Sequence, residues 1–142
     1  MDSIFTTASI LLLTIVAGCR PQTNAEPPSV TFKLTDTNFE EEVLDSKQLV
    51  LVDFWASWCD PCMEMAPAIE ELARELSGNV KVGKLNVDHY PNVAHAFEVR
   101  ALPTILVFRN GEVVARRSGG RSKNDLAEVL DSLSSPPVSP MD

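Results

Sequence analysis

From Leu49 to Trp55 every position except Asp53 is apolar, and the run stops at Ala56-Ser57-Trp58-Cys59-Asp60-Pro61-Cys62. A short apolar stretch rich in β-branched residues and closed by turn residues predicts a buried strand, here over 48–55, that feeds a helix start. The helix is expected over 59–76, because Met65, Ile69, Leu72, Ala73 and Leu76 recur at helical spacing. Pro67 lies inside it and should kink it. Upstream, 30–34 alternates like a strand, and Thr37-Asn-Phe-Glu40 offers a capping box to a helix ending near 45. Downstream come a strand over 80–87 and a short helix over 92–97. A hairpin of 104–109 with 112–117 turns through Asn110-Gly111, the strongest short hairpin signal. A last helix over 122–133 opens on Ser122 followed by Asp125. Strand and helix units running into a hairpin imply an α/β fold with a central mixed β-sheet flanked by helices on both faces.

Both ends of the chain depart from this alternation. The stretch 4–18 is apolar or small and uncharged, and Cys19-Arg20 ends it. Roughly 15 residues of helix span only about 22 Å, short of the ~30 Å hydrocarbon core, so an h-region of a signal peptide fits better than a transmembrane helix. Val16-Ala17-Gly18-Cys19 resembles a bacterial lipobox, although the first nine residues hold Asp2 and no Lys or Arg where a basic region is usual. The resemblance implies a leader over 1–18, lipid attachment at Cys19, and a protein held in the bacterial cell envelope facing the periplasm or the exterior. Residues 19–29 are polar and contain Pro21, Pro27 and Pro28, which reads as a flexible tether. The folded domain is expected over 30–134, and 135–142, with three prolines, as a disordered tail.

A chain of 142 residues, 44% of them hydrophobic, supports one core of ordinary domain size. The formal charge is −8, the pI is about 4.7, and no basic cluster is interleaved with aromatic residues, which argues against nucleic acid as a partner.

The chemistry is expected at the two cysteines. A helix N-terminus has unpaired N–H groups and about half a positive charge, so Cys59 is favoured there as thiolate, the form that attacks disulfides. Cys62 lies about one turn further on, within reach to resolve a mixed disulfide, and Pro61 suits the first helical turn. Two other readings of the pair are a structural disulfide and half of a metal site. The first gains little from closing a two-residue loop, and the second would need His89 and His95, whose spacing does not place them on one helix face. Each histidine is expected to be an exposed polar residue. Asp53, inside an apolar strand, requires compensation, most simply from Lys84 on a neighbouring strand.

Val52-Asp-Phe-Trp-Ala-Ser-Trp-Cys-Asp-Pro-Cys62, together with Lys84-Leu-Asn86, Ala101-Leu-Pro-Thr104 and Asn110-Gly111-Glu112, resembles the thioredoxin family from about residue 30 to 133. The resemblance implies a thiol–disulfide oxidoreductase acting on disulfide-bearing proteins, without organic cofactor or metal. Asp53 would then be a buried carboxyl that exchanges a proton with Cys62 through water, with Lys84 modulating it. Pro103 would be cis, and Trp58, Pro61, Ala101, Leu102 and Gly119 would join it in a shallow apolar surface for the substrate chain. An oxidising compartment further requires an upstream electron donor to keep the pair reduced. A monomer is expected. The same residues would serve an oxidant or isomerase, and a copper-binding assembly module of the Sco type is a more distant alternative, since those proteins place three residues between their cysteines. The family usually has glycine where this chain has Asp60, which leaves the redox potential open.

Overall fold

A computed structural model describes residues 29–134. The expectations on the leader, Cys19, the tether up to Pro28 and the tail from 135 onward fall outside the described residues. Five strands form one sheet in the order β1-β3-β2-β4-β5, with β1 Phe32–Leu34, β2 Leu49–Trp55, β3 Val80–Asn86, β4 Thr104–Arg109 and β5 Glu112–Ser118. β1, β3 and β2 run parallel, and β4 and β5 are antiparallel additions, so the sheet is mixed as expected.

The register explains why β2 reads as a continuous apolar run. It is hydrogen-bonded on both sides, Asp53 pairing with Lys84 of β3 and Ile105 of β4, and both of its faces are covered. One face carries α1 (Asp60–Glu75) and α3 (Lys123–Ser134), which pack Ile69, Leu72, Leu126 and Leu130 against Leu51, Ile105 and Val107. The other face holds Val50, Val52, Phe54, Leu106 and Phe108 under Phe39, Val43 and Ala94 of α2 (Pro91–Ala96). Among the described residues no helix is long and apolar enough to cross a membrane.

Three local outcomes differ from the sequence reading. The segment expected as an α-helix to about 45 is a single π-helical turn, Glu40–Leu44, closed by the Asp45 N–H on the Glu40 carbonyl at 2.9 Å. No side chain caps this turn, and the reciprocal pair that does form lies two residues before Thr37/Glu40, in the turn leading into it. The Thr35 N–H donates to Asn38 Oδ1 (2.8 Å) and the Asn38 N–H to Thr35 Oγ1 (3.2 Å), because the side-chain amide competes for that role at shorter reach. Ser29, assigned to the tether, belongs to the fold: its hydroxyl donates to Glu70 Oε1 of α1 at 2.7 Å, alongside the Thr31 hydroxyl and the Val30 N–H. Ser122 and Asp125 cap α3 reciprocally, at 3.1 and 3.2 Å, as the sequence suggests. α1 continues past Pro67 to Glu75.

Two glycines are required by the backbone. Asn110 (φ 49°) and Gly111 (φ 80°) make the two-residue turn of the hairpin, and a β-carbon on Gly111 would lie 2.9 Å from the Leu44 carbonyl. A β-carbon on Gly83 would meet Leu34 at 2.6 Å, so glycine there lets β1 close on β3. In the hairpin Val107 pairs with Ala115 and Phe108 with Val113, which bulges Val114 outward and leaves both valines exposed.

Candidate active site

β2 ends at Trp55, and the chain turns through Ala56 to begin α1 at Asp60. Cys59 is the N-cap of that helix, in extended conformation, and its sulfur accepts the Cys62 N–H at 3.3 Å. Pro61 occupies the first turn, where a missing N–H leaves no bond unmade. The two cysteines form a disulfide with Cα atoms 5.3 Å apart. Cys59 is 5% exposed and Cys62 2%, so both are buried, and Cys59 is the residue at the positive end of the helix. Ala56 and the dithiol form a small apolar cluster against Trp55, Val87 and Leu102.

The residues expected around the dithiol converge from four elements. Trp58 is 67% exposed and its indole N–H donates to Asp88 Oδ2 at 2.9 Å, which fixes the ring as an upright wall. The Leu102–Pro103 bond is cis, and Pro103 is buried. The Thr104 hydroxyl donates to the Ala101 carbonyl at 2.7 Å and meets Ser118 Oγ at 3.1 Å, and the Gly119 N–H donates to the Pro103 carbonyl at 2.9 Å. These bonds clamp the proline loop to the end of β5. Trp58, Ala101 and Leu102 share one hollow of about 270 Å³ with Val99 and His95. Pro61 is exposed beside it. His89 and His95 are both exposed, and among the described residues no three His, Cys, Asp or Glu are grouped as metal ligands.

Asp53 lies on β2 beneath this surface and is fully buried, with neither carboxylate oxygen accepting a hydrogen bond from the described residues. Lys84 Nζ approaches Oδ2 at 3.7 Å, an ion-pair distance too long for a hydrogen bond. Burial pushes the Asp53 carboxyl up from 3.8 to about 6, and the Lys84 charge keeps the rise from being larger. Lys84 also lies 5.3 Å above the Trp55 ring, so one ammonium faces both the carboxylate and the aromatic behind the dithiol. An acid with a pKa near 6 can take a proton from a thiol and return it at neutral pH.

Asp88 and Thr104 were missed by the sequence reading. Asp88 is 30 residues from Trp58 and Ser118 is 14 from Thr104, and no local pattern marks a side-chain partner that far along the chain. Cys19 lies outside the described residues.

A family model for thioredoxin matches residues 30–132. The thioredoxin of Buchnera aphidicola from Acyrthosiphon pisum is 52% identical over 99 residues, covering 70% of this chain and 92% of that protein. Thioredoxins of Chlorobaculum thiosulfatiphilum (48% over 100 residues, 70% and 93%) and Synechocystis (44% over 103 residues, 72% and 96%) are similarly related. With the family model spanning residues 30–132 and such relatives covered over more than nine-tenths of their length, the chain belongs to the thioredoxin family and is a thiol–disulfide oxidoreductase whose substrates are disulfide-bearing proteins.

Proposed function

We propose that the protein works as an envelope-anchored protein-disulfide reductase, with Cys59 as nucleophile, Cys62 as resolving thiol and Asp53 as proton acceptor. The observation that carries the chemistry is the dithiol at the start of α1, above a buried carboxyl titrating near pH 6. The client's extended chain lies over Trp58, Pro61, Ala101, Leu102, cis-Pro103 and Gly119. The Cys59 thiolate attacks one client sulfur, and the client S–S bond breaks with the second client sulfur leaving as thiolate. Cys62 gives its proton through water to Asp53 and attacks Cys59 Sγ, releasing the first client sulfur. Two electrons have then passed to the client, and the protein is left as the Cys59–Cys62 disulfide. Lys84 limits how strongly Asp53 holds the proton. An upstream dithiol donor restores the reduced pair, and the protein acts as a monomer.

Anchoring is supported by the lipobox-like Val16-Ala17-Gly18-Cys19 behind an apolar 4–18, and by the position of these residues before the family match begins at 30. The lipid on Cys19 holds the domain at the membrane through 20–28.

Cys62→Ser is expected to accumulate mixed disulfides with client proteins while Cys59→Ser traps none; equal trapping by both overturns the assignment of roles. Mass spectrometry of the native N-terminus is expected to find diacylglycerol on Cys19. A chain that starts at Met1, or carries a free Cys19 thiol, overturns the anchor. A reduction potential well above that of glutathione buffers would favour the oxidant or isomerase reading instead.

A further inference from the structure

Lys84 stands between two acids. In the sheet it is in register with Asp53 of β2 on one side and Lys33 of β1 on the other. Its side chain, 19% exposed, lines two hollows. One, of about 650 Å³, runs along α1 and is also lined by Ser29, Met63, Pro67, Glu70 and Arg74. The other, of about 370 Å³, holds Trp55, Lys33 and His89. Asp53 and Glu70 are the carboxyls on which the Lys84 charge acts. Of the remaining charged or titratable groups, Lys33 is turned to the Tyr90 ring, 5.3 Å from its centroid, Arg74 lies one helical turn beyond Glu70, and His89 is exposed.

Glu70 is tied down by the first residues of the fold. The Ser29 hydroxyl donates to Oε1 at 2.7 Å, the Val30 N–H to Oε2 at 3.3 Å, and the Thr31 hydroxyl to Oε1. Partial burial disfavours its charge, but the Thr31 and Ser29 hydroxyls, the Val30 N–H and the Lys84 ammonium together hold the carboxyl below the usual carboxylate range. Glu70 is therefore an anion throughout the range in which Asp53 titrates. Among the described residues, the ion pair that Lys84 forms is with Asp53, so Glu70 faces the same ammonium across the hollow without closing on it.

The reaction changes the charge on only one of these two acids. When Asp53 takes a proton, the largely buried ammonium 3.7 Å away loses its counter-ion, a cost that opposes the transfer. We propose that Glu70 is a positioning residue for this proton transfer, the fixed acid toward which Lys84 turns when Asp53 is neutral. The inference rests on the reading above that Asp53 accepts the Cys62 proton. Three donors hold the Glu70 carboxylate in place, whereas Lys84 carries its ammonium on a flexible four-carbon stem, so the ammonium is the group that moves. While Asp53 is charged, Glu70 draws on the same ammonium and weakens its hold on Asp53, which leaves Asp53 a better proton acceptor.

The test follows the Asp53 carboxyl carbon by NMR titration in the reduced full chain, with the pH profile of kcat/KM for insulin disulfide reduction as a second readout. Glu70→Gln keeps an oxygen for the Ser29 and Thr31 hydroxyls and removes the charge. It is expected to lower the Asp53 pKa by about half a pKa unit, and to move the acid limb of the profile down with it. Glu71→Gln removes the same charge one position along α1, where the partner is Lys123, and is expected to move neither readout. In a Lys84→Gln background Glu70→Gln is expected to have less than half of its effect, because the coupling runs through the ammonium. An Asp53 titration that Glu70→Gln leaves in place, even with stability lowered, overturns the proposal and assigns Glu70 to holding 29–31 alone. So does an equal shift in Glu71→Gln, which would trace it to net charge, or an equal shift with and without Lys84, which would trace it to a direct field on Asp53. A titration that moves as expected beneath an unmoved pH profile would instead overturn the reading of Asp53 as the proton acceptor.

Discussion

The two faces of β2 are built from alternate residues of one seven-residue strand, yet they do opposite work. Val50, Val52 and Phe54 point into a purely apolar layer completed by Phe39, Phe97 and Phe108, whose rings meet at 5.1 to 5.7 Å. Leu51 and Asp53 point to the face under α1 and α3, where Asp53 is as buried as any phenylalanine but lacks a hydrogen-bond partner among the described residues. One face therefore stores stability, and the other gives some up to keep a carboxyl whose proton is exchangeable near neutral pH. The alternation of a strand makes this possible, because neighbouring positions face separate environments.

The largest expected effect is on the apolar face. Phe108→Ala removes a fully buried ring that contacts two others and should cost about 3 to 5 kcal/mol in denaturant unfolding, without moving the pH dependence of activity. A shifted pH profile in that variant would mean that the two faces are not separable.

Asp53→Asn probes the other face and should have the opposite sign. Raised from 3.8 to about 6, the folded-state pKa means that the native protein binds more protons than the unfolded chain between those values, so its stability falls as pH rises through that window. At about 1.4 kcal/mol per pKa unit the carboxylate costs about 3 kcal/mol above pH 6 and nothing below about pH 4. Unfolding at pH 8 and pH 3.5 should show Asn stabilising at the first and neutral at the second, while turnover slows as the proton acceptor is lost.

Lys84→Gln sharpens the comparison further. Removing the Lys84 ammonium from beside Asp53 should raise its pKa above about 6, seen by NMR titration of the carboxyl carbon, and lower stability at pH 8. An unchanged titration would show that burial alone sets the value.

The smallest effect belongs to Asp60, exposed at the start of α1 beside Cys59. Its charge opposes the thiolate through water, so Asp60→Asn should make the couple more oxidising by at most about 15 mV in glutathione buffers, and less in high salt. A shift to a more reducing potential would mean that the side chain acts through the turn and not through its charge.

Sequence alone determined the elements whose signals are local. The β2 run, the helical spacing of α1, the Asn110-Gly111 turn and the Ser122 cap all rest on residues within a few positions of one another, and each took the form its chemistry predicts. The dithiol was legible for the same reason, since two cysteines one turn apart at a helix start need no distant partner to be recognised. The π-helical turn at Glu40–Leu44 was not legible, because the reciprocal bonds form at Thr35 and Asn38, ahead of the Thr37/Glu40 pair that the capping rule marks, and no side chain caps the turn itself. Nor was the placing of Ser29, Asp88 and Arg116, whose partners lie 41, 30 and 19 positions away. The depth of Asp53 and its spacing from Lys84 likewise exist only once β2, β3 and α1 are packed, because desolvation and Coulomb attraction depend on distances that the fold creates.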